Sequence, residues 1–204
     1  MNANQRMEEI IEEHRKLKER PSLLLHACCA PCASTCLMRT MHDFAVTVFY
    51  YNPNITNAEE YKKRVAEIKR LIALLKEEYG VDIGFLEGAY EPERFLNMAR
   101  GMENMPEGSG RCFACYRLRL SETARVADET GADYFATTLT LSPLKNADKL
   151  NETGELCASS CRASYLPSDF KKKDGYKLSI ELSEKYGLYR QNYCGCDFSK
   201  RTEE

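Results

Sequence analysis

An α/β fold with a mostly parallel sheet and flanking helices is what this chain of 204 residues predicts. Short apolar or β-branched runs alternate with longer helical segments from Pro21 onward, and that alternation favours parallel strands joined by right-handed crossovers. The length suits one good-sized core and is short for two. Ten cysteines fall into local groups, the last of them in a cysteine-rich C-terminal segment.

The elements follow in order. Gln5–Lys18 is charged and amphipathic and reads as a helix appended to the domain. The apolar run Ser22–His26 reads as a buried strand. Ala27–Cys29 turns the chain, and Pro31 can open a helix through about His42. Ala45–Tyr51, rich in β-branched and aromatic residues, is a strand that Asn52-Pro53-Asn54 breaks. A helix over about Asn57–Tyr79 carries Val65, Ile68, Leu71, Ile72 and Leu75 on one face, and Gly80 can stop it. Val81–Gly88 is the next strand and Pro92–Arg100 a short helix. A Gly-rich turn leads into a helix over Cys112–Thr130 whose stripe is Cys112, Tyr116, Leu120, Ala124 and Ala127. Asp133–Leu139 is a strand, Pro143–Cys157 a helix, Ser164–Pro167 a last short strand, and Ser179–Tyr186 a last helix. Residues 1–20 are thus expected as an N-terminal helical extension and 21–204 as a single α/β domain. In such sheets the working site lies at the carboxyl ends of strands, here His26–Cys29 and Thr137–Ser142.

Charge narrows the classes. Lys plus Arg (29) nearly cancels Asp plus Glu (31), so a dedicated nucleic-acid coat is disfavoured and any RNA contact should be local. The start shows no apolar signal region and no run spans a bilayer, which places the chain in a reducing cytoplasm. There, so many cysteines favour metal ligation or redox work over structural disulfides.

The spacings sharpen this. Cys112-x-x-Cys115 opens a helix, where dipole and free N–H groups favour thiolate; alone it could be a thioredoxin-like couple or half a zinc site. Adjacent Cys28-Cys29 are expected to splay apart, toward two irons of a cluster rather than one zinc. Two plus two thiolates from distant segments make the four ligands of a [4Fe–4S] cluster. In Cys194-Gly195-Cys196 the glycine lets the sulfurs meet, as a strained disulfide or as ligands of a mononuclear metal. Cys32 and Cys36 share a helical face, with Cys32 near the site. Cys157 and Cys161 read as structural extras.

The stretches LLHACCAPC, VFYYNPNI, EEYKKR, RCFACYRLRL, ATTLTLSP, KNA, LPSDFKKKDGY, SIELS and YGLYRQNYCGCDFSK together resemble the QueH-type epoxyqueuosine reductases over about Leu23–Lys200. The resemblance implies a Rossmann-like, HUP or PP-loop-like domain and an iron–sulfur oxidoreductase. The implied reaction removes the epoxide oxygen of epoxyqueuosine in a tRNA anticodon loop, the last step of queuosine formation. By motif position it implies Cys28, Cys29, Cys112 and Cys115 as ligands of a [4Fe–4S] cluster and Cys194 and Cys196 as the redox pair. It also allows an additional mononuclear iron, for which Cys194, Cys196 and a nearby carboxylate are candidates. Where the family pattern often has His and Arg, this chain has Leu144 and Leu178, so a proton donor at 144 is in question.

For a single-stranded RNA loop, Tyr116, Arg117, Lys145, Lys171, Lys172, Lys173, Tyr189 and Arg190 are available for stacking and phosphate contacts, although a lysine run is more often a solvated face. Tyr50 and Tyr51 could line the pocket or belong to the core. His26 reads as a buried, satisfied histidine, and Asp169 and Asp197 as iron or proton ligands against turn residues. Two rivals remain. An ATP-using PP-loop enzyme would need a Gly/Ser-rich cradle where this chain has Ala27-Cys28-Cys29-Ala30-Pro31. A zinc-stapled scaffold would pair two CxxC-like units.

Overall fold

The computed structural model describes residues 2–200; residue 1 and residues 201–204, the end of the expected domain, lie outside the described residues. Five parallel strands form one sheet in the order β3-β2-β1-β4-β5: β1 (Ser22–His26), β2 (Ala45–Tyr50), β3 (Gly84–Glu87), β4 (Tyr134–Thr137) and β5 (Ser164–Tyr165). The helices are α1 (Ala3–Leu17), α2 (Ala30–Thr40), α3 (Ala58–Tyr79), α4 (Pro92–Ala99), α5 (Gly110–Thr130), α6 (Ala147–Ala158) and α7 (Gly175–Lys185). The order reverses at β1, so the crevice for a ligand opens beyond the ends of β1 and β4.

Both faces of the sheet are covered, which is why its central strands are apolar almost throughout. Leu23 and Leu25 of β1 point, with Val46, Val48 and Tyr50 of β2, into a core shared with α2 and α3. Leu24, Phe49 and Tyr51 point the other way, toward Ala124 and Ala127 of α5. Asn2 opens α1 with a capping box to Gln5, and α1 buries Met7 and Ile11 in the first of these cores. Each such side chain contributes about 1.5–3 kcal/mol. Among the described residues no helix is long and apolar enough to cross a membrane.

Several expected boundaries move, for local reasons. The strand expected to reach Leu139 ends at Thr137, whose hydroxyl accepts from Leu139 N–H and starts a 3-10 turn over Thr138–Leu141. The helix expected from Pro143 begins at Ala147, because Asn146 caps it by accepting from Lys149 N–H at 3.0 Å. Residues 143–145 are therefore a loop, and they border the cavity described below. The last helix starts at Gly175 rather than Ser179, and β3 keeps only the last half of its expected length. In α3, Ile72 is half-buried, whereas Arg64, absent from the expected stripe, is buried.

Candidate active site

Seven cysteines converge on two adjoining cavities at the carboxyl end of the sheet. The wider has a volume of about 160 Å³. Cys28, Cys29 and Cys32 line it. The narrower is lined by Cys112, Cys115 and Cys196. Cys194, Lys145 and Ser199 border both.

Each thiol is held by its element. Cys28 follows β1, and Cys29 is the extended N-cap residue of α2, with Pro31 in its first turn. Their sulfurs lie 3.7 Å apart, so the adjacent side chains converge rather than splay: the helix start turns both toward Cys32. The three sulfurs lie within 4.8 Å of one another, a group that could hold a metal ion. Cys112 and Cys115 occupy the first two turns of α5, and Cys112 Sγ accepts from Gly108 N–H at 3.2 Å. Gly195, at φ 116°, bends the chain between Cys194 and Cys196. A Cβ there would press on Ile55 and Arg64, so this turn requires glycine. Buried Arg64 donates to the carbonyls of Cys194 (3.2 Å) and Tyr193 (3.4 Å) and to Glu60 (2.7 Å), fixing the segment. All ten cysteines are free thiols.

The charges favour one thiolate. Hydrogen bonds from Cys29 and Cys32, then the charges of Arg119 and Lys145, hold Cys28 well below the usual thiol range against burial. The hydrogen bond to Cys28, with burial, pushes Cys29 up to about 12, and hydrogen bonds to Cys28 and Cys29, with burial, push Cys32 well above its usual value. Burial pushes Cys115 up to about 12 and raises Cys196. Burial works against the charge of Lys145, yet Cys194 and Cys28 raise it overall. Arg119, fully buried, donates to Asn52 Oδ1 at 2.5 Å. Burial likewise opposes its charge, and Cys115, Cys28 and Cys194 restore it.

His26 is satisfied inside the core. Nδ1 accepts from the Thr137 hydroxyl at 2.9 Å and Nε2 donates to Tyr51 O at 3.0 Å. Burial, then Arg119, lowers it to about 3, so it is neutral. Tyr50 and Tyr51 are core residues. Asp197 accepts from Thr56 at 2.6 Å and pairs with Lys200, and Asp169 pairs with Lys171. Cys157 lies 3.5 Å from Ser121 Oγ, packed at the α5–α6 contact with Cys161 nearby in the same core, away from both cavities.

The residues considered for RNA divide. Tyr116 is buried. Lys171 donates to Thr140 O at 3.0 Å, and Lys173 pairs with Glu8. The Tyr189 hydroxyl donates to Glu60, beneath the Lys63 ammonium. Arg117, Lys172 and Arg190 are exposed, and Arg190 borders the wider cavity. Sequence reasoning missed Arg119 and Arg64. Arg119 stands four residues after Cys115 on α5, and that spacing was the available signal.

The family model for "Epoxyqueuosine reductase QueH" matches residues 23–202. A Streptococcus pyogenes epoxyqueuosine reductase QueH is 40% identical over 100% of this chain and 82% of its own length. The Staphylococcus epidermidis protein of the same name is 40% identical over 98% of this chain and 84% of its own. That of Thermotoga maritima is 32% identical over 87% and 90%. With a family match across nearly the whole sheet and every cysteine of both cavities, the chain belongs to the epoxyqueuosine reductase QueH family.

Proposed function

We propose that the protein reduces epoxyqueuosine in a tRNA anticodon loop to queuosine. The observation that carries this reading is the convergence of Cys28, Cys29, Cys112, Cys115, Cys194 and Cys196 on two adjoining cavities at the switch point of a parallel sheet. Two electrons and two protons enter, both epoxide C–O bonds break, a carbon–carbon double bond forms, and the oxygen leaves as water.

The donor set suits a cluster: it is all sulfur, with one thiol already biased to thiolate. Cys28, Cys29, Cys112 and Cys115 would hold a [4Fe–4S] cluster, which supplies single electrons when bound. Cys32, the member of the Cys28, Cys29 and Cys32 group that the cluster leaves free, is a further candidate ligand for an additional mononuclear iron, beside the Cys194/Cys196 pair. Cys194 and Cys196 would give two electrons and two protons on joining as a disulfide, which an external reductant then reopens. Cys194 borders both cavities and so stands between substrate space and the CxxC thiols. Lys145 places a cation at the same junction, where negative charge develops on the leaving oxygen.

The test is conversion. The protein, purified and reconstituted with iron and sulfide without oxygen, is given a reductant and tRNA carrying epoxyqueuosine, and the nucleosides are weighed by mass spectrometry. Queuosine should appear with the loss of one oxygen. Unchanged epoxyqueuosine from iron-loaded protein would overturn the proposal.

A further inference from the structure

Among the polar residues that border the wider cavity, one holds a buried acceptor that the chemistry above leaves unused. Gln191 lines the cavity, and its side-chain oxygen is buried with no hydrogen-bond partner among the described residues. A buried acceptor left unpaired costs about 1–3 kcal/mol, and a ligand that donates to it recovers that cost. Its surroundings describe the ligand. On one side in sequence stands Arg190, at the rim, with Nη1 on Ser179 O and the Ser183 hydroxyl. On the other stand Tyr193 and Cys194, toward the thiols. Leu144 and Tyr176, two large apolar side chains exposed at 55% and 40%, border the same cavity. Apolar surfaces, a buried acceptor and a rim cation are the parts from which a pocket for a flipped-out base is made: stacking on the faces, a hydrogen bond to the pairing edge, a cation for phosphate.

We infer that Gln191 determines base specificity, its carboxamide oxygen accepting from the N–H donors on the pairing edge of a guanine-type base held against Tyr176 and Leu144. The inference rests on the proposed function, since that reading places a guanine-type base with a reactive arm here. Gln191 lies between rim and thiols along the chain. With the edge fixed there, the arm extends toward Cys28, Cys29 and Cys32. Adenine presents an acceptor at the corresponding ring position, and would face the carboxamide oxygen with a repulsion.

The test measures binding of iron-loaded protein to two anticodon stem-loops, one carrying epoxyqueuosine and one guanosine at the same position. Gln191→Leu removes the acceptor at similar size, and Gln191→Glu keeps it. The inference expects Gln191→Leu to weaken both stem-loops by the same factor, about tenfold. Gln191→Glu should restore binding, and iron content should stay that of the wild type. Equal binding of both stem-loops by Gln191→Leu and wild-type protein overturns the inference. Weakening confined to the epoxyqueuosine stem-loop overturns it too, because the contact is then to the arm. Failure of Gln191→Glu to restore binding also overturns it. A wild-type protein that binds the two stem-loops alike, and converts neither, instead overturns the proposed function.

Discussion

Arg64→Ala should cost about 3 kcal/mol of stability and release the Cys194–Cys196 segment. The guanidinium is 1% exposed, and three partners depend on it: Glu60 at 2.7 Å and the carbonyls of Cys194 and Tyr193. Removing one member of a buried ion pair costs about 3–5 kcal/mol, chiefly because the other charge stays buried alone. Glu60 is 12% exposed and keeps the Tyr189 hydroxyl at 3.1 Å, which sets the expectation at the lower end. In a domain of this size that is a fall in Tm of roughly 6–12 °C. Urea unfolding at pH 7 without oxygen measures it. Adding Glu60→Gln removes the stranded charge and should recover at least about 1 kcal/mol. Alkylation of Cys194 should quicken in Arg64→Ala at urea concentrations below the transition. A loss under about 1 kcal/mol, or no recovery with Glu60→Gln, would refute this account of how the segment is held.

Other expectations follow from named contacts. Glu67 accepts from Tyr189 N–H at 2.7 Å and pairs with Arg70, and Arg70 first, then that N–H, lowers its carboxyl below the usual 4.5 against burial. A lowered native value stabilises above the usual value and is lost as pH falls through the native one. Glu67→Gln should therefore cost about 1 kcal/mol at pH 7, a difference that shrinks below about pH 4.5 in paired urea curves. Gly154 in α6 faces the Tyr165 ring, which a methyl group would strike. Gly154→Ala should lower stability by about 1–3 kcal/mol despite alanine's better helix propensity, and a gain in Tm would contradict the packing. Cys194→Ala should keep the four cluster irons and tRNA binding yet lose turnover, and normal turnover would remove the redox role of Cys194.

The fold was largely legible in the sequence because a sheet covered on both faces writes continuous apolar strands, and SLLLH and AVTVFY are of that kind. The ends of elements were not. Thr137 and Asn146 stop a strand and start a helix through single side-chain bonds, and the apolar period runs past both. The cysteine groups stood out by spacing alone, but their mutual placement did not: convergence of the Cys28, Cys29 and Cys32 sulfurs depends on the dihedral angles at the α2 N-terminus. Arg64, Arg111 and Arg119 were read past because arginine is normally exposed, and here each is buried on carbonyl, amide or thiol partners. The Lys171–Lys173 run shows the reverse. It stood out by charge, yet Lys171 and Lys173 are engaged within the fold.

The claim most directly open to measurement is that Cys28, Cys29, Cys112 and Cys115 together hold one cluster. Iron and acid-labile sulfide per chain, measured without oxygen for the wild type and for single Cys→Ser variants at these four positions and at the buried Cys36, decide it. The account predicts about four irons and four sulfides in the wild type and in Cys36→Ser, with marked loss in each of the four variants. Stoichiometric zinc without sulfide, or full cluster content in any of those four, would contradict it.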